Sequence, residues 1–169
     1  WFKRVACKRG DILMATSSMI QYLDAPGTDV GPSNRRVTER FFATGAIAIG
    51  DFVAFQVADA AVTGSDRVVK IQKANSGGAG SKVAIGVMIG HDGTGTDAAA
   101  DDLCEVVIKG YAEGANVADA AGAGVAVVPS GTAGRCQAAG TNDLVPPVAQ
   151  TLEAPASDKA DVFVFGIFS

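Results

Sequence analysis

The chain holds one histidine, His91, and a Ser-His-Asp triad would have to be built on it. Ser65 or Ser81 would supply the nucleophile. No Gly-x-Ser-x-Gly motif marks either serine, so the spacing predicts a surface histidine at a strand end, beside the turn Asp92-Gly93. The stretch Asp92-Gly93-Thr94-Gly95-Thr96-Asp97, with Asp101 and Asp102, offers hard oxygen ligands of the kind calcium takes. Its Gly-x-Gly-x-Asp core occurs once, whereas such turns bind calcium in stacked arrays, and the EF-hand spacing is not met. An exposed loop is the expectation. Gly77-Gly78-Ala79-Gly80-Ser81-Lys82 resembles a phosphate loop superficially, but Val83 stands where Ser or Thr would follow the lysine. The three cysteines, Cys7, Cys104 and Cys136, are odd in number and lack C-x-x-C spacing. They read as small thiols made in a reducing cytoplasm, not as a zinc site or disulfide frame. No catalytic residue, metal or cofactor is expected.

The elements that would carry these residues follow from composition and period. Among 169 residues there are 30 Ala, 21 Gly, 20 Val and 9 Ile, against 5 Leu. Branched side chains suit a pleated sheet, whereas a helical chain would be rich in Leu, Glu and Lys. From residue 37 onward, two-residue alternation recurs between turn signals. Strands are expected at 37–42, 46–49, 52–57, 67–73, 83–89, 103–111, 125–128, 135–138, 148–153 and 161–168. Thr63-Gly64-Ser65-Asp66 reads as a hairpin turn, and the two glycines at 122 and 124 disfavour a long helix. Short strands at this spacing indicate an all-β fold, a small antiparallel β-barrel or β-sandwich.

Residues 1–36 lack such periodicity and carry turn signals at Asp24-Ala25-Pro26-Gly27 and Val30-Gly31-Pro32. They are expected to form an extended basic N-terminal arm on a body spanning 37–169. Residues 1–40 hold seven basic and four acidic groups, and the remainder seven and fourteen. The net charge of −4 argues against direct nucleic-acid binding, though a basic arm on an acidic body suggests an acidic surface to lie against. No apolar run approaches the roughly 20 residues of a membrane span, and no signal peptide is recognised. Met14 heads a plausible translation start, which would leave residues 1–13 upstream of it.

Aromatic and basic residues form the candidate contact set. Arg35, Arg36, Arg40, Phe41 and Phe42 cluster where the arm meets the body. Phe163, Phe165 and Phe168 crowd the other end. In the strand holding Phe163 and Phe165, Val162 and Val164 share the opposite face. A strand apolar on both faces is expected to be covered on both, as a central core strand or as a subunit contact.

The order of short motifs resembles the head decoration (capsid cement) proteins of tailed bacteriophages. The motifs are Gly50-Asp51-Phe52-Val53, Ile85-Gly86-Val87, Val106-Val107-Ile108-Lys109-Gly110, and Leu152-Glu153-Ala154 ahead of Val162-Phe163-Val164. The similarity spans residues 37–168. It implies a non-enzymatic virion protein, made in the host cytoplasm, that sits on the outer surface of the phage head. Such a protein would be a homotrimer or a dimer, and would clamp neighbouring major capsid protein subunits. Arg35, Arg36, Arg40, Phe41 and Phe42 would then anchor it to the capsid, and Phe163, Phe165 and Phe168 would pack its core or oligomer. The second expectation is another virion β-protein, of a tail tube, baseplate or fibre.

Overall fold

The computed structural model describes residues 36–56, 69–77, 83–91, 95–118, 121–140 and 145–166. Nine strands lie within them: β1 (Arg36–Ala43), β2 (Phe52–Phe55), β3 (Lys70–Lys73), β4 (Gly86–His91), β5 (Leu103–Asn116), β6 (Ala126–Pro129), β7 (Cys136–Ala138), β8 (Ala149–Thr151) and β9 (Lys159–Val164). No helix occurs among the described residues. The fold is all-β, as the Val/Ile excess and the two-residue period require.

Five strands in the order β1-β3-β2-β4-β5 close into a barrel when β1 pairs again with β5. The β1–β3 pair is parallel, and the other strand pairs are antiparallel. The remaining strands form a second layer that grows from the far half of β5, in the order β9-β8-β6-β7. Gly110 marks the handover, since it pairs with Arg36 on one edge and with Val164 on the other. The layer then curls back, because Val117 and Cys136 form a bridge between the end of β5 and β7.

Each layer has its own core. Inside the barrel, Phe41, Ile47, Val53, Ile71, Met88, Val106 and Ile108 pack together. Between barrel and second layer lie Phe52, Val87 and Val107 from one side and Val127, Val162 and Val164 from the other. Strand β2 serves both, with Val53 facing inward and Phe52 and Ala54 outward. That is the division its alternation predicts. Strand β5 also serves both, but only because its alternation slips. Ile108 is skipped in the pairing with β1, and one extra residue intervenes between Ala112 and Ala115 in the pairing with β9. Both irregularities are bulges, which bend a strand and re-aim its side chains. Val107 and Ala112 therefore face the same core although their numbers differ by an odd count.

The two layers are joined at a buried carboxylate. Asp51 is 4% exposed. Its Oδ2 accepts from the Ala48 N–H (2.8 Å) and lies 2.9 Å from Lys73 Nζ. Its Oδ1 accepts from Asn116 Nδ2 at 2.6 Å. One side chain thus ties the turn before β2, strand β3 and the end of β5. The backbone at this corner is equally committed. Gly50 N–H donates to the Met88 carbonyl (2.8 Å), and its own carbonyl accepts from Asn116 N–H (2.8 Å). Gly50 has a φ of +87°, and a Cβ there would lie 2.4 Å from the Gly114 oxygen, so only glycine fits. In the second layer Thr151, fully buried, donates to the Gly122 carbonyl (2.6 Å) and accepts from Val125 N–H (2.9 Å).

Three differences from the sequence expectations have local causes. Residues 46–49 form a turn closed by Asp51, and only Ile47 makes a bridge, to Ala98. Strand β5 continues five residues past Tyr111 to Asn116, because Gly110 is paired on both edges and Gly114 sits in a bulge, so neither ends it. Arg36 belongs to β1, so the barrel starts one residue earlier than the expected boundary at 37. The rest of the arm, Arg35 included, lies outside the described residues, as do the turn 63–66, the loop 78–82 and Phe168.

Removing the Asp51 charge leaves Lys73 without its counter-charge and a single oxygen to serve the two other donors, Ala48 N–H and Asn116 Nδ2. The Asp51→Asn variant is expected to lose about 3 kcal/mol, the lower end for one partner of a buried pair, because Lys73 is partly solvated. Thermal unfolding should then fall by roughly 10 °C for a chain of this size.

Candidate functional site

Among the described residues, the chemistry-bearing side chains are engaged with backbone groups and do not form a catalytic array. His91 closes β4, and its Nδ1 lies 3.1 Å from both the carbonyl and the hydroxyl of Thr96. An Nδ1–H that donates to the carbonyl cannot also take a proton from the hydroxyl, so that geometry does not activate Thr96 as a nucleophile. Asp102 lies 3.8 Å from Nε2 and accepts instead from Ala99 N–H at 2.7 Å. Ser65 and Ser81 lie outside the described residues. The loop carboxylates are spent on backbone: Asp97 Oδ1 accepts from Ile49 N–H at 2.8 Å, pinning the turn that leads into Asp51. Among the described residues no group of three or more His, Cys, Asp or Glu side chains is placed to hold a metal. Asp92 is outside those residues. Cys104 and Cys136 are buried and unbridged, and burial pushes the Cys136 thiol pKa well up. Cys7 is outside the described residues.

Among the described residues the exposed large apolar side chains are Phe42, Val69, Val83, Leu152, Phe163 and Phe165, and all but Val83 fall into two groups. The first is at the C-terminal end of β1. Alternation splits Phe41 from Phe42. Phe41 turns inward and meets Phe55 edge-to-face, with ring centroids 5.7 Å apart, so its surface is committed to the barrel. Phe42 is 44% exposed. It is paired with Leu103 and Lys70, and its N–H donates to the carbonyl of Val69, which is itself exposed. Arg40 is exposed opposite Glu105, and Arg36 is half-buried opposite Gly110.

The second patch is the outer face of the second layer. In β9, Ala160, Val162 and Val164 are buried while Phe163, and Phe165 just past the strand's end, are exposed. In β8, Ala149 and Thr151 point in, and Gln150 and then Leu152 point out. Phe163 sits between Tyr111 of β5 and Gln150 of β8. The stem of Lys109 runs beside Gly166, just past Phe165. The outward positions of β9 are thus Lys159, Asp161 and Phe163, and among the described residues Phe163 and the following Phe165 remain about 40% exposed on that side. Sequence reasoning singled out the phenylalanines but not Leu152, Val69 or Tyr111. The alternation in β8 carries the signal for Leu152, once its inward residues are known.

The two patches lie at opposite halves of β5, at Leu103 and Tyr111, about 25 Å apart along the strand. The second patch is stiffened by a polar clamp. Tyr111 donates its hydroxyl hydrogen to Asp161 Oδ2, and Asp161 Oδ1 accepts from Gly114 N–H at 3.0 Å across the bulge. This bond, then burial, then the charges of Asp161, Glu113 and Glu153 hold the Tyr111 pKa well above the ordinary phenol range.

No family model matches the sequence, and no curated protein matches it.

The clamp can be read in an alkaline titration. In a Tyr22→Phe chain, absorbance at 295 nm should show Tyr111 still protonated above about pH 10, where an unperturbed phenol ionises. Asp161→Asn should bring that titration back toward the ordinary value. The folded phenol holds its proton more tightly than the unfolded one. The bond's contribution to stability is therefore complete below about pH 10 and is lost as pH rises through the folded value.

Proposed function

We propose that this chain is a non-enzymatic structural protein of a tailed-phage virion, binding the outer surface of the head and holding neighbouring major capsid protein subunits together. The observation that carries this reading is the pair of exposed apolar groups that flank opposite halves of β5, Phe42 beside Leu103 and Phe163 beside Tyr111. A monomer working alone gains nothing from exposing Phe42, Phe163, Phe165 and Leu152 while packing its interior largely from Val and Ala. Two such patches on a rigid double-layered frame suit a molecule that touches two neighbours at once. The motif order shared with decoration proteins supports the same reading.

On this reading the Phe163–Phe165 face packs copies of the chain into a homotrimer or dimer, and the Phe42 end faces the capsid, with Arg36 and Arg40 beside it. The basic residues of the arm extend that contact to an acidic surface. Each contact is weak alone, and the oligomer makes them act together through effective concentration. No cofactor enters the mechanism.

The test is co-sedimentation with empty expanded heads of the phage that encodes the chain. Full-length protein should bind at hundreds of copies per head, whereas tens of copies confined to tails would indicate a tail-tube, baseplate or fibre role instead. The double variant Phe163→Ser/Phe165→Ser should keep its circular dichroism spectrum, lose its oligomer by light scattering and bind heads at least about tenfold more weakly. Deleting residues 1–35, which spares β1, should also weaken binding. Undiminished binding by both variants would overturn the reading.

A further inference from the structure

The outer face of β5 and β9 carries opposite charge at its two ends. Two-residue alternation puts Lys109, Tyr111 and Glu113 of β5 on this side, and Lys109 and Glu113 are both exposed. Phe163 is paired with Tyr111, so it sits midway between them, and Gln150 of β8 extends the same row. Toward one end lie Phe165 and Lys109, whose stem runs beside Gly166. Toward the other lie Glu113, Asp161 and Glu153, all three near enough to act on the Tyr111 phenol. Leu152 joins that end, its N–H donating to the Asp161 carbonyl at 2.8 Å. Lys159, farther out along β9, does not offset these carboxylates, because its ammonium is drawn to the Ile49 carbonyl at 3.2 Å.

We propose that this face is a two-fold contact with a second copy of the chain, in which Lys109 of each copy lies over Glu113 of the partner subunit. A patch that meets itself does so about a two-fold axis. Such an axis can run across the strands or along them. Running across, through Tyr111 and Phe163, it reverses the strand direction, stacks ring against ring at the centre and brings Lys109 to Glu113 twice. Running along the strands, it would set Glu113 against Leu152 and Glu153, an acid on an apolar side chain and on a like charge. Charge complementarity selects the first. Face-to-face sheets stand about 10 Å apart, a gap that opposed phenylalanines fill and that a lysine and a glutamate together span. Within one copy Lys109 and Glu113 are about 13 Å apart along the strand, with Tyr111 between them.

This inference rests on the reading of the Phe163 face as a contact between copies, and it narrows that contact to a dimer of crossed charges. It does not depend on what the Phe42 end binds. Its test uses the free protein, so its failure is distinct from a failure to bind heads.

Sedimentation equilibrium on the full chain should give the mass of two copies. Lys109→Glu and Glu113→Lys should each weaken that association at least about tenfold, with circular dichroism unchanged. Mixed one to one, the two variants should associate with each other, since every crossed contact again joins opposite charges. In the unaltered protein, a carbodiimide should link Lys109 of an isotope-labelled chain to Glu113 of an unlabelled one. That link decides alone should the variants not fold. A monomer or trimer mass, a mixture no tighter than its separate components, or no link between chains would overturn the proposal.

Discussion

The structure hangs on the carboxylate of Asp51. A charge buried this deeply is costly unless every lone pair is met, and here the donors come from three separated parts of the chain: Ala48, Lys73 and Asn116. Meeting that one requirement brings β3 and the end of β5 to the start of β2. It also forces its surroundings. Gly134 must lack a side chain, because a Cβ there would come within 2.5 Å of Asp51 Oδ1. Gly50 must take its left-handed conformation to pass Gly114. The carboxylate therefore sets the relation of the barrel to the second layer, which two thin apolar cores would leave free to slide.

Those cores are thin because of what fills them. Val and Ala dominate the core between the layers, Ile47, Ile71, Ile85 and Ile108 lead the barrel core, and Phe41 and Phe52 are the largest side chains buried in them. Small residues allow the layers to approach closely, and a single 14-residue strand can then belong to both. Bulges make this dual membership possible by turning β5 without ending it. The outcome is a double-layered frame that, among the described residues, leaves Phe42, Leu152, Phe163 and Phe165 exposed. The proposed role in a capsid uses that inversion: aromatic burial that a self-contained domain would complete internally is completed by neighbours.

The elements were largely legible in the residues, and the site only in part. Two-residue alternation located the strands because a pleat puts successive side chains on opposite faces whatever the fold. It placed Phe52 and Val53 on opposite sides correctly, and it set Phe163 and Phe165 together. It could not say which side of β9 would be covered, since Val162 and Phe163 are both apolar and the answer depends on what lies across the sheet. Nor could it read Gly110 as a paired strand residue or Gly114 as part of a bulge, because a glycine in a strand pattern is equally compatible with a stop. Gly50-Asp51 was visible as a motif, but its acceptor role was not. Its partners Lys73 and Asn116 lie 22 and 65 positions away, and nothing local couples them.

The sequence by itself determined that this protein is made of short strands with small interiors, since composition and period act on neighbouring residues and need no distant partner. Tertiary structure alone decided that the strands form a closed five-stranded barrel with a second layer, that Phe41 is core while Phe42 is surface, and that Val162 faces the core while Phe163 faces outward. Those outcomes depend on long-range pairing around β5 and on a charge whose partners meet only when the chain is folded.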